Sequence, residues 1–237
     1  MSLLIQPKQK LPDINLPGVD KDGNTVKTFN ILKDFAGSYL VVFFFRLGSQ
    51  EEAVEVLEFS KLSKDFKEAG CNILGVTSES PLSIKRWMVK DQESGGFNKN
   101  LGFPIISDKD LSLAMDMGVA KKSGLPSYAA LIVDNRSVIR YCQVNRHKDI
   151  KINVPEIIRL VAAYKITDAK EVHTAPEWKP GDDDNMIPRD YQEKKKWYQK
   201  NFGGQRQATN ASPQNDKTDP VAGENMQAEN ISNTAKV

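Results

Sequence analysis

The sequence predicts an α/β fold, a central mixed sheet flanked by helices, and three observations carry that prediction. Residues 39–45, YLVVFFF, form an unbroken run of β-branched and aromatic side chains, the pattern of a strand buried on both faces. The run leads into an amphipathic helix and, past Gly70, into a second such run at 71–78, CNILGVTS. Strand, helix and strand in that order predict parallel neighbours joined by a right-handed crossover. Further on, the strand-like runs 128–133 and 138–144 are joined by the turn-rich DNRS of 134–137. These form an antiparallel hairpin, which makes the sheet mixed.

Taken in order, residues 1–20 hold Pro7, Pro12 and Pro17 among alternating apolar residues and should run extended along the edge of the fold. Asp22-Gly23 marks the corner of a hairpin returning through 26–29. Gly48 ends the central strand. Ser49 and Glu52 have capping-box spacing, each satisfying a free N–H of the first helical turn. Val54, Leu57 and Leu62 with Val56, Phe59 and Phe66 supply that helix's apolar face. The junction points unpaired N–H groups and a positive dipole end at a place where an anion or thiolate can be stabilised. Residues 80–91 read as a second amphipathic helix, with Pro81 in its first turn and Ile84, Trp87 and Met88 at helical spacing, ended by Gly95-Gly96. Residues 103–107 form a short strand with Pro104 inside it, and 111–117 a short helix stopped by Gly118. Asn153, Pro155 and Glu156 open the last core helix, whose face is Ile157, Ile158, Val161 and Ala162.

From Lys165 the register changes to a proline-punctuated extended arm that ends in an aromatic and basic helix at 191–202. Beyond Gly203-Gly204 the composition of Gln, Asn, Ser, Thr, Ala and Pro predicts a disordered tail. The organisation is one domain over 1–165, an arm and closing helix over 166–202, and a tail over 203–237. A formal charge of +2 over 237 residues implies no general polyanion partner. Two cysteines, Cys71 and Cys142, exclude a disulfide-rich secreted scaffold. The opening MSLLIQPKQK is too short an apolar run for a signal peptide, and no stretch approaches a membrane span. A soluble, cytoplasmic protein without a membrane partner is expected.

VVFFF at 41–45, EVLEFS at 55–60, CNILGVTSES at 71–80, SIKRWM at 83–88, FPIISD at 103–108, WKPG at 178–181 and the pair Trp197-Tyr198 resemble, in this order and spacing, the typical 2-Cys peroxiredoxins. The resemblance covers most of residues 5–202. It implies a thioredoxin-like fold of the peroxiredoxin type with a C-terminal arm, and thiol peroxidase chemistry without cofactor or metal. It also implies a dimer in which the strand matching 138–144 pairs edge to edge, with dimers able to join into rings. The partners implied are further copies of the chain or active relatives.

The family places a peroxidatic Cys in the first turn of the helix after the central strand, a Thr three residues earlier, an activating Arg on a later strand and a resolving Cys just before WKPG. Here Glu52 falls at the first position, Ser49 at the second, Tyr128 at the third, and His173 or Thr174 at the fourth. The family's upstream Pro is absent too. Peroxide reduction by that route needs a thiolate that passes through sulfenic acid and is captured by a second thiol. A carboxylate at 52 has no such oxidation ladder. The reading is therefore a catalytically degenerate peroxiredoxin acting in redox homeostasis by oligomer or partner binding.

One alternative is residual hydroperoxide reduction through Cys71 or Cys142, although both lie in apolar strand patterns where free cysteine behaves as a small hydrophobe. Another is nucleic-acid binding through the basic-aromatic helix, for which docking of its aromatic side is the preferred reading. A serine hydrolase would need His147 or His173 to reach Ser49 and lacks a G-x-S-x-G elbow. Two histidines without a Cys pair give no metal framework, and Trp87 reads as core.

Overall fold

The structure, a computed structural model, describes residues 9–48, 50–98, 100–120, 128–145, 149–182 and 184–203, with the side chains of 50–52 outside the description. The strands are β1 (Asn15–Val19), β2 (Val26–Asn30), β3 (Tyr39–Phe44), β4 (Cys71–Thr77), β5 (Ile105–Ser107), β6 (Tyr128–Val133), β7 (Ile139–Asn145), β8 (Val172–Thr174) and β9 (Met186–Pro188). The helices are α1 (Ile31–Asp34), α2 (Gln50–Lys61), α3 (Ser63–Glu68), α4 (Pro81–Val89), α5 (Ser112–Asp116), α6 (Val154–Ala169) and α7 (Tyr191–Phe202). Seven strands make one sheet in the order β2-β1-β5-β4-β3-β6-β7, and β8 pairs with β9 separately. The chain divides into two units, Met1–Tyr191 and Gln192–Val237.

β3 is the middle of this arrangement for a reason visible in its side chains. All six residues are buried, and alternate ones serve opposite faces. Val41, Phe43 and Phe45 join a core with Val56, Phe59, Phe66, Ile157 and Val161, contributed by α2, α3 and α6. Leu40, Val42 and Phe44 join a second core with Ile31, Leu113, Ala114 and Met117 from α1, α5 and the residue after it. β3 runs parallel to β4, with Tyr39 opposite Cys71 and Phe44 opposite Val76. It is antiparallel to β6, with Leu40 opposite Val133 and Phe44 opposite Ala129. The predicted parallel unit and mixed sheet are both present.

The turns follow from specific side chains. Asp20 accepts the Asn24 N–H at 2.9 Å through its side chain and the Gly23 N–H at 3.0 Å through its carbonyl, and Gly23 takes φ +74°, where glycine carries no Cβ penalty. Asp134 shapes the β6–β7 hairpin by accepting the Arg136 and Val138 N–H groups at 2.9 and 3.0 Å. Ser80 caps α4 and Asn153 caps α6, each accepting the N–H three residues on, at 3.2 and 3.1 Å.

Four local expectations change. Of the start expected along the edge, residues 1–8 lie outside the described residues and Gln9 to Leu11 do pair at the β7 border, but β1, which holds Pro17, lies inside the sheet between β2 and β5. Pro17 is tolerated there since pairing with β5 begins only at Gly18. Pro104 precedes β5 rather than interrupting it. Val54 is 54% exposed: it lies on the far side of α2 from Val56 and Phe59, and the helix breaks at Leu62 before α3 resumes. The change expected at Lys165 falls inside α6, which continues to Ala169, and the following segment contains the β8–β9 pair. Trp178 from that segment is buried with Ala163 and Met186, and Arg159 donates to its carbonyl at 3.1 Å.

Gly18 shows how closely β1 approaches β5. A Cβ there would lie 2.7 Å from the Ile105 carbonyl oxygen and 2.9 Å from Ile106 Cγ2, so one strand must move to admit it. Gly18→Ala is expected to lower unfolding free energy in urea by about 1–2 kcal/mol; an unchanged midpoint would show that the strands separate freely.

Candidate functional site

The site suggested by the sequence is the junction where β3 delivers the chain to α2. Its floor is set by β6. Because Phe44 is opposite Ala129, Tyr128 stands beside Phe45 at the end of β3, and alternation along β6 turns its ring into the core shared with α2 and α6. Tyr128 is buried, its hydroxyl accepts a hydrogen bond from Lys151 Nζ, and that ammonium sits 4.1 Å from the ring centre. A cation over the ring face and a bond to the phenol oxygen hold the same lysine twice.

α2 contributes Glu55, one turn into the helix and only 2% exposed. One carboxylate oxygen accepts the Ile152 N–H at 2.7 Å, and the other has no hydrogen-bond partner among the described residues. Loss of hydration pushes the Glu55 carboxyl up to about 7, against the opposing pull of the Ile152 N–H and the Lys151 charge. A carboxyl in that range can hold or release a proton near neutral pH. Glu55, Lys151 and Tyr128 thus converge from α2, the segment before α6, and β6.

Ser49 lies outside the described residues, and Glu52 is placed only by its backbone in α2. His173 is exposed and Thr174 half-buried in β8, opposite Ile187 and Met186 of β9, and no described contact joins either to Tyr128. Neither cysteine is at the junction. Cys71 opens β4 opposite Tyr39, at the other end of β3, and burial pushes its thiol up to about 12 despite a backbone bond from Val41 and the Lys165 charge. Cys142 lies opposite Leu131 on β7, half-buried, and burial pushes it up to about 11. A thiol so raised holds its proton at neutral pH and is a poor nucleophile. Of the serine and histidines weighed for hydrolase chemistry, Ser49 and His147 both lie outside the described residues. Among the described residues no cluster of three metal-ligating side chains occurs, and no helix is long and apolar enough to cross a membrane. Trp87 packs against the core and Phe97, with ring centres 5.9 Å apart.

Sequence reasoning passed over Glu55 and Lys151. Glu55 did carry a signal: it sits four residues before Phe59 and eleven before Phe66, an isolated acid on an otherwise apolar stripe. Lys151 carries none, standing in a mixed polar segment.

The strand–helix junction on a seven-stranded mixed sheet, with α6 packed over the same face, defines a thioredoxin-like fold of the peroxiredoxin type. The chain belongs to the AhpC/TSA family, whose family model matches residues 7–142. It is similar to peroxiredoxin-2 of Macaca fascicularis, with 33% identity over 156 residues covering 64% of this chain and 77% of that protein. It is also similar to peroxiredoxin-1 of Gekko japonicus, with 29% identity over 193 residues covering 80% and 93%. Among solved structures, the reduced 2-Cys peroxiredoxin of Plasmodium vivax superposes with a TM-score of 0.69 at 21% identity, covering 74% of this chain and 90% of that one. AhpC of Enterococcus faecalis gives 0.65 at 21% identity, covering 73% and 100%.

Proposed function

We propose that this peroxiredoxin-family chain does not run the family's two-thiol peroxide cycle and acts in redox homeostasis, in the cytoplasm, by association with copies of itself or with active peroxiredoxins. The position of the thiols carries this reading: the only two cysteines, Cys71 and Cys142, are on β4 and β7, and the first turn of α2, Gln50 to Ala53, has none. The family's catalytic positions then correspond to Ser49, Glu52 and Tyr128, with His173 or Thr174 at the resolving position. A phenol bonded to a lysine at Tyr128 also supplies a different electrostatic surrounding from the guanidinium the family uses there. The domain plan accompanying this reading is a peroxiredoxin domain over 1–165, an arm and closing helix over 166–202 and a tail over 203–237.

The association surface is β7. It is the last strand of the sheet, and Gln9 to Leu11 pair only with Ser137 to Ile139 at its start. From Arg140 onward its outer edge has no strand partner among the described residues, which leaves a row of backbone groups available to a second copy. Native mass spectrometry of the purified chain, alone and mixed with an active 2-Cys peroxiredoxin, is expected to show dimers, larger even-numbered assemblies or mixed species. Monomers alone at every concentration would sink the reading.

A second reading, peroxide reduction at Cys142, is favoured by the partial exposure of that thiol. Stopped-flow peroxide consumption separates the two: turnover abolished by Cys142→Ser or Cys71→Ser supports residual activity, and wild-type protein that consumes no peroxide ends it. Nucleic-acid binding through α7 is the least favoured reading, and absence of any oligonucleotide binding at low salt dismisses it.

A further inference from the structure

At the opposite end of β3 from the candidate site, where β4 and β5 begin, the surface folds into a cleft of about 660 Å³. Five residue steps along β3 separate the two places, a distance of about 17 Å. Lys21 enters the cleft from the β1–β2 turn, while Lys64 and Lys67 come from α3, where a spacing of three sets them on one face. Ser63 and Asn72 add hydrogen-bonding groups, and Phe35 forms a half-buried apolar wall. The walls are tied together, since the Leu101 N–H donates to the Lys21 carbonyl at 3.0 Å.

The charge on this cleft is one-sided. No carboxylate lines it, and among the described residues none of the three lysines closes an ion pair. Three lysines lining one concavity, with no carboxylate beside them, raise the local concentration of anions. Its volume is that of a small-molecule pocket, too confined for a protein domain. We propose that this cleft binds an organic phosphate, its charged group among Lys21, Lys64 and Lys67 and its flat or apolar body against Phe35. Several negative charges match three cations, acceptor oxygens match Ser63 and Asn72, and the Phe35 wall selects a phosphate that carries a ring over a bare inorganic ion.

The test is isothermal titration calorimetry of the full chain at low ionic strength, with ADP as the probe and adenosine as its uncharged counterpart. ADP is expected to bind at a single site and adenosine not to bind. The double variant Lys64→Gln/Lys67→Gln is expected to weaken ADP binding about tenfold or more and to flatten its salt dependence. Both lysines are exposed, so the variant keeps its fold, which circular dichroism checks. No heat with millimolar ADP, equal ADP affinity in wild type and variant, or adenosine binding as tightly as ADP would each overturn the proposal.

Discussion

Glu55→Gln is expected to make the protein more stable at pH 8 by about 2 kcal/mol and to leave it nearly unchanged at pH 4.5. The carboxyl has an ordinary value of 4.5 and rises to about 7 in the folded chain, so between those values the folded state holds more protons than the unfolded state. Its contribution is therefore fully present below about pH 4.5 and is lost as pH rises through about 7. The full difference corresponds to about 3 kcal/mol, and glutamine recovers part of it while keeping an acceptor for the Ile152 N–H. Urea denaturation of wild type and variant from pH 4.5 to 8 reads this directly. Parallel curves for the two proteins would mean that Glu55 is hydrated or paired at neutral pH. Asp134 acts in the opposite sense at lower pH. Burial pushes its carboxyl up, but the N–H groups of Val138 and Arg136 and the Arg140 guanidinium outweigh that and hold it below the usual range. Its stabilisation is lost as pH falls through that lowered value.

The largest stability loss is expected for Phe43→Ala, at about 3–5 kcal/mol. Phe43 is fully buried and stacks on Phe59 with ring centres 4.2 Å apart, on Phe45 at 5.2 Å and edge-on to Phe103 at 5.5 Å. Opposite it on β4 is Gly75, where a Cβ would come within 3.2 Å of the Phe43 ring and 3.1 Å of the Phe45 ring. A glycine in the strand opposite leaves the room that the Phe43 and Phe45 rings require. The Phe43–Phe59 stack also fixes α2 to β3, and with it the position of Glu55. Amide hydrogen exchange in α2 should therefore accelerate in Phe43→Ala well beyond the rest of the sheet. A loss below about 1.5 kcal/mol would show that the neighbouring rings collapse into the space.

The parts of the fold visible in the sequence were those whose local pattern and tertiary burial agree. β3 is buried throughout and β4 at every residue but Asn72, so the two runs are almost wholly apolar or small and stand out. The hairpins are written in Asp20, Gly23 and Asp134, whose side chains or backbone make the turn themselves. Elements that depend on distant partners left weaker marks. α1 spans only four residues and is held by the Asn30 side chain on the Lys33 N–H at 2.8 Å. β8 and β9 span three residues each, too few for an alternating pattern, and exist because Trp178 and Met186 pack on α6. The candidate site was half legible. Its location follows from strand meeting helix, and Tyr128 from the family resemblance, but Glu55 was hidden in a segment read only for its hydrophobic spacing. Lys151 gains its meaning from the folding of residues 149–152 against α2 and β6, which no local pattern encodes.

The unequal borders of the sheet have a consequence for how assembly can stop. One border is β2, hairpinned to β1, and the other is β7. If two copies join β7 to β7 about a twofold axis, each uses up the same border of the other, and the joined sheet then presents β2 at both ends. That pairing is self-terminating at two, so any ring must grow through a different surface. In an assembly so built, salt, pH or a substitution would dissociate rings into dimers without touching the backbone ladder that would hold each dimer together.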